Sequence, residues 1–217
     1  MGKPIIIWTL RRTGGTSLAN LLFTSSNFKT IQHEPFNQER VWGDVSKELR
    51  NKLSKPTDEI IEYDLDHLHE RIATYCNLKR NIKHCIDNTP FLVTKYLLEV
   101  SQEVGYKHIV LLRKNQLQRI LSLLIAQQTT WKLGQSADTV FPKIINRELE
   151  IQEIPFKNIA HIFHSAITMI GRLYEELHQN DIDYYRIYFE ELYSDKLDEH
   201  ERIKNATKIL DYLNIKD

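Results

Sequence analysis

The run Pro4-Ile5-Ile6-Ile7-Trp8-Thr9-Leu10 constrains this chain more than any other feature. It is apolar without alternation and stops at Arg11-Arg12. It then leads through Thr13-Gly14-Gly15-Thr16-Ser17 into a segment of helical character reaching Thr24. A β-rich run with no polar face belongs to a strand buried on both sides, the situation inside a parallel sheet covered by helices. Further strands are expected at 28–33, 81–86, 107–112 and 183–189, alternating with helix-period segments. Leu117, Ile120, Leu121, Leu124 and Ile125 recur at helical spacing, and their side of that helix is expected to face the core. A second series (Ile159, Ile162, Phe163, Ala166, Ile170, Leu173, Tyr174, Leu177) predicts a helix from about Lys157 to Gln179 with a core-facing stripe. The alternation implies an α/β fold with a central, mostly parallel sheet between helix layers, a three-layer sandwich.

Residues 37–80 are polar and charged, with helices expected around 44–54 and 64–80, separated by Lys55-Pro56-Thr57. The segment buries too little apolar surface to stand alone, so it reads as a helical insertion over the sheet edge of one domain spanning 1–217. Residues 127–156, with Gly134 and weak periodicity, are expected to form a flap. Lys plus Arg equals Asp plus Glu, 29 each, so no global basic field exists to hold a nucleic acid or an anionic membrane. The first apolar run is far short of the roughly 20 residues that span a bilayer, and no small-residue cleavage site follows it. Cys76 and Cys85 imply no disulfide framework and are expected to be inert thiols. The reading is a cytoplasmic protein without a membrane span; its oligomeric state stays open.

The turn Arg11-Arg12-Thr13-Gly14-Gly15-Thr16-Ser17 lies between strand and helix. There, backbone N–H groups and a helix N-terminus converge on one point, a natural site for an oxyanion. Arg12 adds charge, with Arg11 beside it, and Thr13, Thr16 and Ser17 add hydroxyls. The nucleotide-triphosphatase loop G-x-x-x-x-G-K-[ST] fits poorly. With Ser17 at its last position and Gly15 at its second glycine, Thr16 stands where the lysine should be and Leu10 where the first glycine should be. A second candidate anion group is Arg113, at the carboxyl end of an expected parallel strand, where open α/β sheets place ligands. Gln118 and Ser122 follow on one face of the next helix, and Ser122 stands nine residues after Arg113.

Together these segments resemble the sulfotransferases that use 3′-phosphoadenosine 5′-phosphosulfate (PAPS), a family of P-loop nucleotide hydrolase-like fold. Arg12-Thr13-Gly14-Gly15-Thr16-Ser17-Leu18 is similar to their 5′-phosphosulfate loop, and Arg113-Lys114-Asn115 with Ser122 to their 3′-phosphate motif. The run Leu111-Leu112-Arg113-Lys114-Asn115…Ser122-Leu123…Ala126 is closest to bacterial members of the trehalose-sulfotransferase type. His33-Glu34-Pro35-Phe36 and Arg186-Ile187-Tyr188-Phe189-Glu190-Glu191-Leu192 agree in order.

The resemblance implies that Arg12, with Thr13, Thr16, Ser17 and the Gly14 and Gly15 amides, holds the 5′-phosphosulfate. Arg113 and Ser122 would hold the 3′-phosphate. A sulfuryl group carries less charge than a phosphoryl group, so no metal is expected. Transfer would be an in-line displacement onto a hydroxyl of a small-molecule or carbohydrate acceptor, with Arg12 stabilising the leaving 5′-phosphate.

Glu34 is the first candidate for the general base, where similar bacterial enzymes carry a catalytic Glu. Lys83-His84 is the rival, since many relatives use Lys-Thr-His near there. On an extended strand the two must face opposite sides, and so must His33 and Glu34 if that strand runs through both. His67 and His69, two apart on an expected helix, have the wrong spacing for one face, and His161 and His164 lack a nearby third ligand, so all four read as structural. Trp42, Trp131 and Tyr63 could stack on a sugar ring or simply pack. Two other readings remain: an ATP-dependent P-loop kinase-like phosphotransferase and a non-catalytic nucleotide-binding module.

Overall fold

The structure, a computed structural model, describes residues 2–30, 32–53 and 66–215. Its elements in chain order are β1 (Ile5–Thr9), α1 (Gly15–Thr24), α2 (Gly43–Leu53), α3 (Asp66–Cys76), β2 (Ile82–Cys85), α4 (Phe91–Val104) and β3 (Lys107–Leu112). Then follow α5 (Gln116–Gln128), α6 (Thr130–Leu133), α7 (Ala137–Ile145), α8 (Phe156–Gln179), β4 (Tyr184–Tyr188), α9 (Glu190–Tyr193) and α10 (Glu199–Leu213). The four strands form one parallel sheet in the order β2-β1-β3-β4, flanked by helices.

β1 is central, and the alternation of its side chains feeds two cores. Ile5 and Ile7 pack with Leu18 and Leu22 of α1 and Ile209 and Leu213 of α10. Ile6 and Trp8 point the other way, into a core shared with α2, α3, α4 and α8. This is why the run lacks a polar face: both sides of the strand are covered.

The 37–80 segment does more than cover an edge. Trp42, Val45, Leu49, Leu68, Ile72 and Cys76 belong to the same core as Ile6 and Trp8. Trp42 is buried and stacks on Tyr75, ring centroids 5.1 Å apart, so it offers no face to a sugar. Lys55-Pro56-Thr57 and Tyr63 lie outside the described residues. His67 and His69 pair with Glu48 and Glu99.

Three expectations need correction. No strand forms among the described residues of 28–33; the backbone bonds here are Asn81 N–H to Lys29 C=O, just before β2, and, beyond the segment, Glu34 N–H to Lys83 C=O. In α5 Leu117 is exposed, and the buried positions are Arg119, Ile120, Leu123, Leu124 and Ala126. In α8 the fully buried residues are Ala166, Leu173 and Leu177, while Phe156, Phe163 and Ile167 are exposed. A helix of 24 residues runs about 36 Å. Strands of 4–6 residues span about 13–20 Å, so the sheet covers only part of it. The 127–156 segment carries α6 and α7, the former closed by Gly134 in the left-handed region (φ 64°).

Candidate active site

The order β2-β1-β3-β4 makes the chain leave β1 toward one side and return on the other. The crevice beyond the carboxyl ends of β1 and β3 is therefore a topological switch point, where such sheets bind ligands. A cavity of about 710 Å³ opens there, with Arg12, Glu34, Lys83, Arg113, Ser122 and Trp131 in its wall.

The turn after β1 adopts the backbone that its glycines permit. Gly14 sits at φ 82° and caps α1 with no side-chain bond to the first-turn amides. A Cβ on Gly14 would lie 2.6 Å from the Phe189 ring; one on Gly15 would lie 2.9 Å from Thr9 Cγ2 and 3.3 Å from Lys83 Cδ. The start of α1 thus packs against Phe189, Thr9 and Lys83 at a closeness that favours glycine. Thr16 and Ser17 line the cavity. Thr13 does not: its side chain is fully buried, and its Oγ1 has no partner among the described residues. Arg11 reaches the wall, but its charge is engaged by Asp87, which accepts from the Arg11 backbone N–H (3.0 Å) and from Nε (3.3 Å).

The second anion group meets the first. Arg12, itself at φ 64°, donates from Nε to Ser122 Oγ (3.1 Å), and Arg113 Nη1 donates to the Arg12 carbonyl (3.2 Å). Arg113 also lies over the Phe189 ring, 4.3 Å from its centroid, and its Nε is buried without a partner among the described residues. The turn that carries Arg113 is clamped from β4–α9: the Glu190 carboxylate accepts from the backbone N–H of Lys114 (2.9 Å) and of Asn115 (3.0 Å). Asn115 in turn caps α5 by accepting from Gln118 N–H (2.9 Å).

In the same cavity wall Lys83, from β2, reaches Glu34 Oε1 at 2.6 Å and Thr16 Oγ1 at 3.0 Å. Glu34 sits at φ 56°, its N–H bonded to the Lys83 carbonyl, so the strand end and the loop fix the pair together. Burial alone would raise the Glu34 carboxyl. The Lys83 charge and hydrogen bond, helped by Cys85 and His84, outweigh it and hold the carboxyl below its ordinary value. Cys85 is buried beside it, and that burial, with Glu34, pushes its thiol well up, an inert sulfur.

His84 falls on the opposite face of β2, as alternation requires. It is buried, within hydrogen-bonding distance of Thr94 Oγ1 (3.0 Å) and Thr89 Oγ1 (3.2 Å), and outside the cavity wall. Burial pushes it down to about 4, so it is a neutral core residue rather than a base. His33 points away from Glu34, stacks on Phe23 and pairs with Asn20.

No known family model matches the chain, and no curated protein matches it either. What the cavity can do rests on its own geometry. Among the described residues no three His, Cys, Asp or Glu side chains converge as a metal-ligating group, and no helix is long and apolar enough to cross a membrane.

Sequence reading gave no site role to Asp87, Phe189 or Glu190, although Phe189 and Glu190 stand in the Arg186–Leu192 run quoted for the resemblance. Asp87 and Glu190 each carried a signal, a carboxylate just after an expected strand.

Proposed function

We propose that this chain is a PAPS-dependent sulfotransferase, moving the sulfuryl group to a hydroxyl of a small-molecule or carbohydrate acceptor in the cytoplasm. The observation that carries the reading is that one cavity is lined both by the joined Arg12, Ser122 and Arg113 and by the Lys83–Glu34 pair. A donor with two separated anionic groups needs two such basic stations, and a transfer reaction needs a base beyond them. The guanidinium of Arg113, in the cavity wall, is a donor group suited to phosphate oxygens.

In this reading the 5′-phosphosulfate lies against the first turn of α1, Thr16 and Ser17, and the 3′-phosphate against Arg113 and Ser122. Arg12, engaged with Ser122, belongs with the second group more than with the leaving phosphate. Lys83, on Thr16, takes the task of countering charge there. The acceptor oxygen attacks sulfur, the bond from sulfur to the 5′-phosphate oxygen breaks, and the hydroxyl proton passes to Glu34. Catalysis comes from positioning and charge stabilisation. Trp131, half-exposed at the cavity wall, gives an acceptor ring a flat apolar surface.

The test is to supply sulfur-labelled PAPS with a panel of sugars, polyols and phenols and follow label in the acceptor. Transfer by the wild type and none by Glu34→Gln supports the reading. Phosphoryl transfer from ATP with magnesium, and no sulfuryl transfer, replaces it with a kinase-like activity.

A further inference from the structure

Arg119 lies among the buried positions of α5, with Ile120, Leu123, Leu124 and Ala126, and is wholly enclosed, with 0% of its surface exposed. A leucine or methionine would fill this slot without burying a charge, so the guanidinium calls for a reason. Its Nη1 donates to the Arg11 carbonyl (3.2 Å) and its Nε to Gln116 Oε1 (2.8 Å), while Gln116 Nε2 donates to the Arg113 carbonyl. The two cations Arg11 and Arg119 share one carboxylate, Asp87, with Oδ2 at 3.3 Å from Arg11 Nε and 3.8 Å from Arg119 Nη1. Arg119 Nη2 has no partner among the described residues. Burial lowers its pKa; Asp87 opposes this, and Arg11 and Arg113 add to it, as expected where positive charge is in excess.

We propose that Arg119 is a positioning residue for the anion-binding loop, acting through the Arg11 carbonyl and through a charge that the shared Asp87 only partly compensates. The peptide bonds of the described residues are trans, so fixing a carbonyl fixes the N–H on the opposite side of the same plane. Arg119 holds the Arg11 carbonyl, and Arg113 holds that of Arg12. Two successive carbonyls are thereby drawn onto guanidinium groups and kept from facing an anion. The N–H groups of Arg12 and Thr13 are turned the other way. The proposal rests on the donor reading only in requiring a phosphate-type anion at this loop.

The experiment titrates inorganic pyrophosphate, and separately 3′-phosphoadenosine 5′-phosphate, into wild type, Arg119→Met and Arg119→Lys by calorimetry. It is run at a temperature where circular dichroism shows each variant folded. Arg119→Met should weaken pyrophosphate binding about tenfold or more. Arg119→Lys, which keeps the charge and a donor, should recover most of that loss. Binding by folded Arg119→Met within about twofold of wild type overturns the proposal. If Arg119→Met does not fold, Arg119→Lys against Arg119→Gln decides: lysine binding tighter supports the proposal, and equal binding overturns it. A wild type that binds pyrophosphate but not the bisphosphate defeats the donor reading and leaves Arg119 to be judged on the pyrophosphate series. A wild type that binds neither overturns both.

Discussion

Lys83 Nζ lies 3.0 Å from Thr16 Oγ1, so the cation that the loop's own sequence lacks at Thr16 arrives from the neighbouring strand. Because Lys83 also holds Glu34 at 2.6 Å, one side chain couples the anion loop to the candidate base. The pair is set by β2, whose alternation sends Lys83 to the cavity and His84 to the core.

Glu34→Gln and Lys83→Met should each lower turnover by about 100- to 1000-fold, measured with saturating donor. The double variant should be little worse than the poorer single one, because the two act as a unit. With Glu34 as the proposed base, activity should fall as pH drops through a pKa below the ordinary carboxylate value. In Lys83→Met burial acts without its main counterweight, and the acid limb of the pH–rate profile should move upward.

Gly14→Ala should damage both fold and site. Its left-handed φ of 82° and the Phe189 ring 2.6 Å from the new Cβ act together. Strain and overpacking together cost about 2–5 kcal/mol. For a chain of this size that lowers Tm by about 5–15 °C. Gly14→Ala with Phe189→Ala should regain the packing part but not the backbone part, which thermal melts of the two variants separate.

Glu190→Ala should loosen the turn that presents Arg113, since its carboxylate takes two backbone N–H groups there. The expected result is a loss of about threefold to tenfold in affinity for the 3′,5′-bisphosphate. Affinity for AMP, which lacks the 3′-phosphate, should change little. Equal losses for both ligands would place Glu190 in general stability instead.

Acid should destabilise the fold through two core histidines. His84 and His108 are pushed by burial from 6.5 down to about 4, and His108 Nδ1 accepts from Trp8 Nε1 at 3.1 Å. Protons therefore bind the unfolded chain first. The stabilisation is complete above pH 6.5 and is lost as pH falls toward 4, amounting to about 3 kcal/mol per histidine by that point. Urea midpoints between about pH 7 and about pH 5 should fall, and His84→Gln should flatten the slope.

Much of this architecture was legible because it is local. The unbroken apolar run at Ile5–Trp8, the glycines before α1 and the opposition of Lys83 and His84 are written in consecutive residues. Other features depend on partners distant in sequence. Residues 28–33 have strand composition, yet a strand needs a neighbour to complete its ladder, and among the described residues the backbone bond to this segment comes from Asn81, before β2 begins. Arg119 reads as the polar break in an apolar helix face until Asp87 and the Arg11 carbonyl are found beneath it. Trp42 offered a sugar platform only while Tyr75 was not known to cover it.

The most direct measurement is thermal unfolding with 3′-phosphoadenosine 5′-phosphate, with AMP, and with ATP plus magnesium, on wild type and Arg113→Ala. A ligand at about 100 times its Kd stabilises by about 2.7 kcal/mol. In a chain of this length that shifts Tm by about 5–10 °C. The sulfotransferase reading predicts such a shift with the bisphosphate, a much smaller one with AMP, and its loss in Arg113→Ala. Equal or greater stabilisation by ATP with magnesium, or a bisphosphate shift untouched by Arg113→Ala, would contradict it.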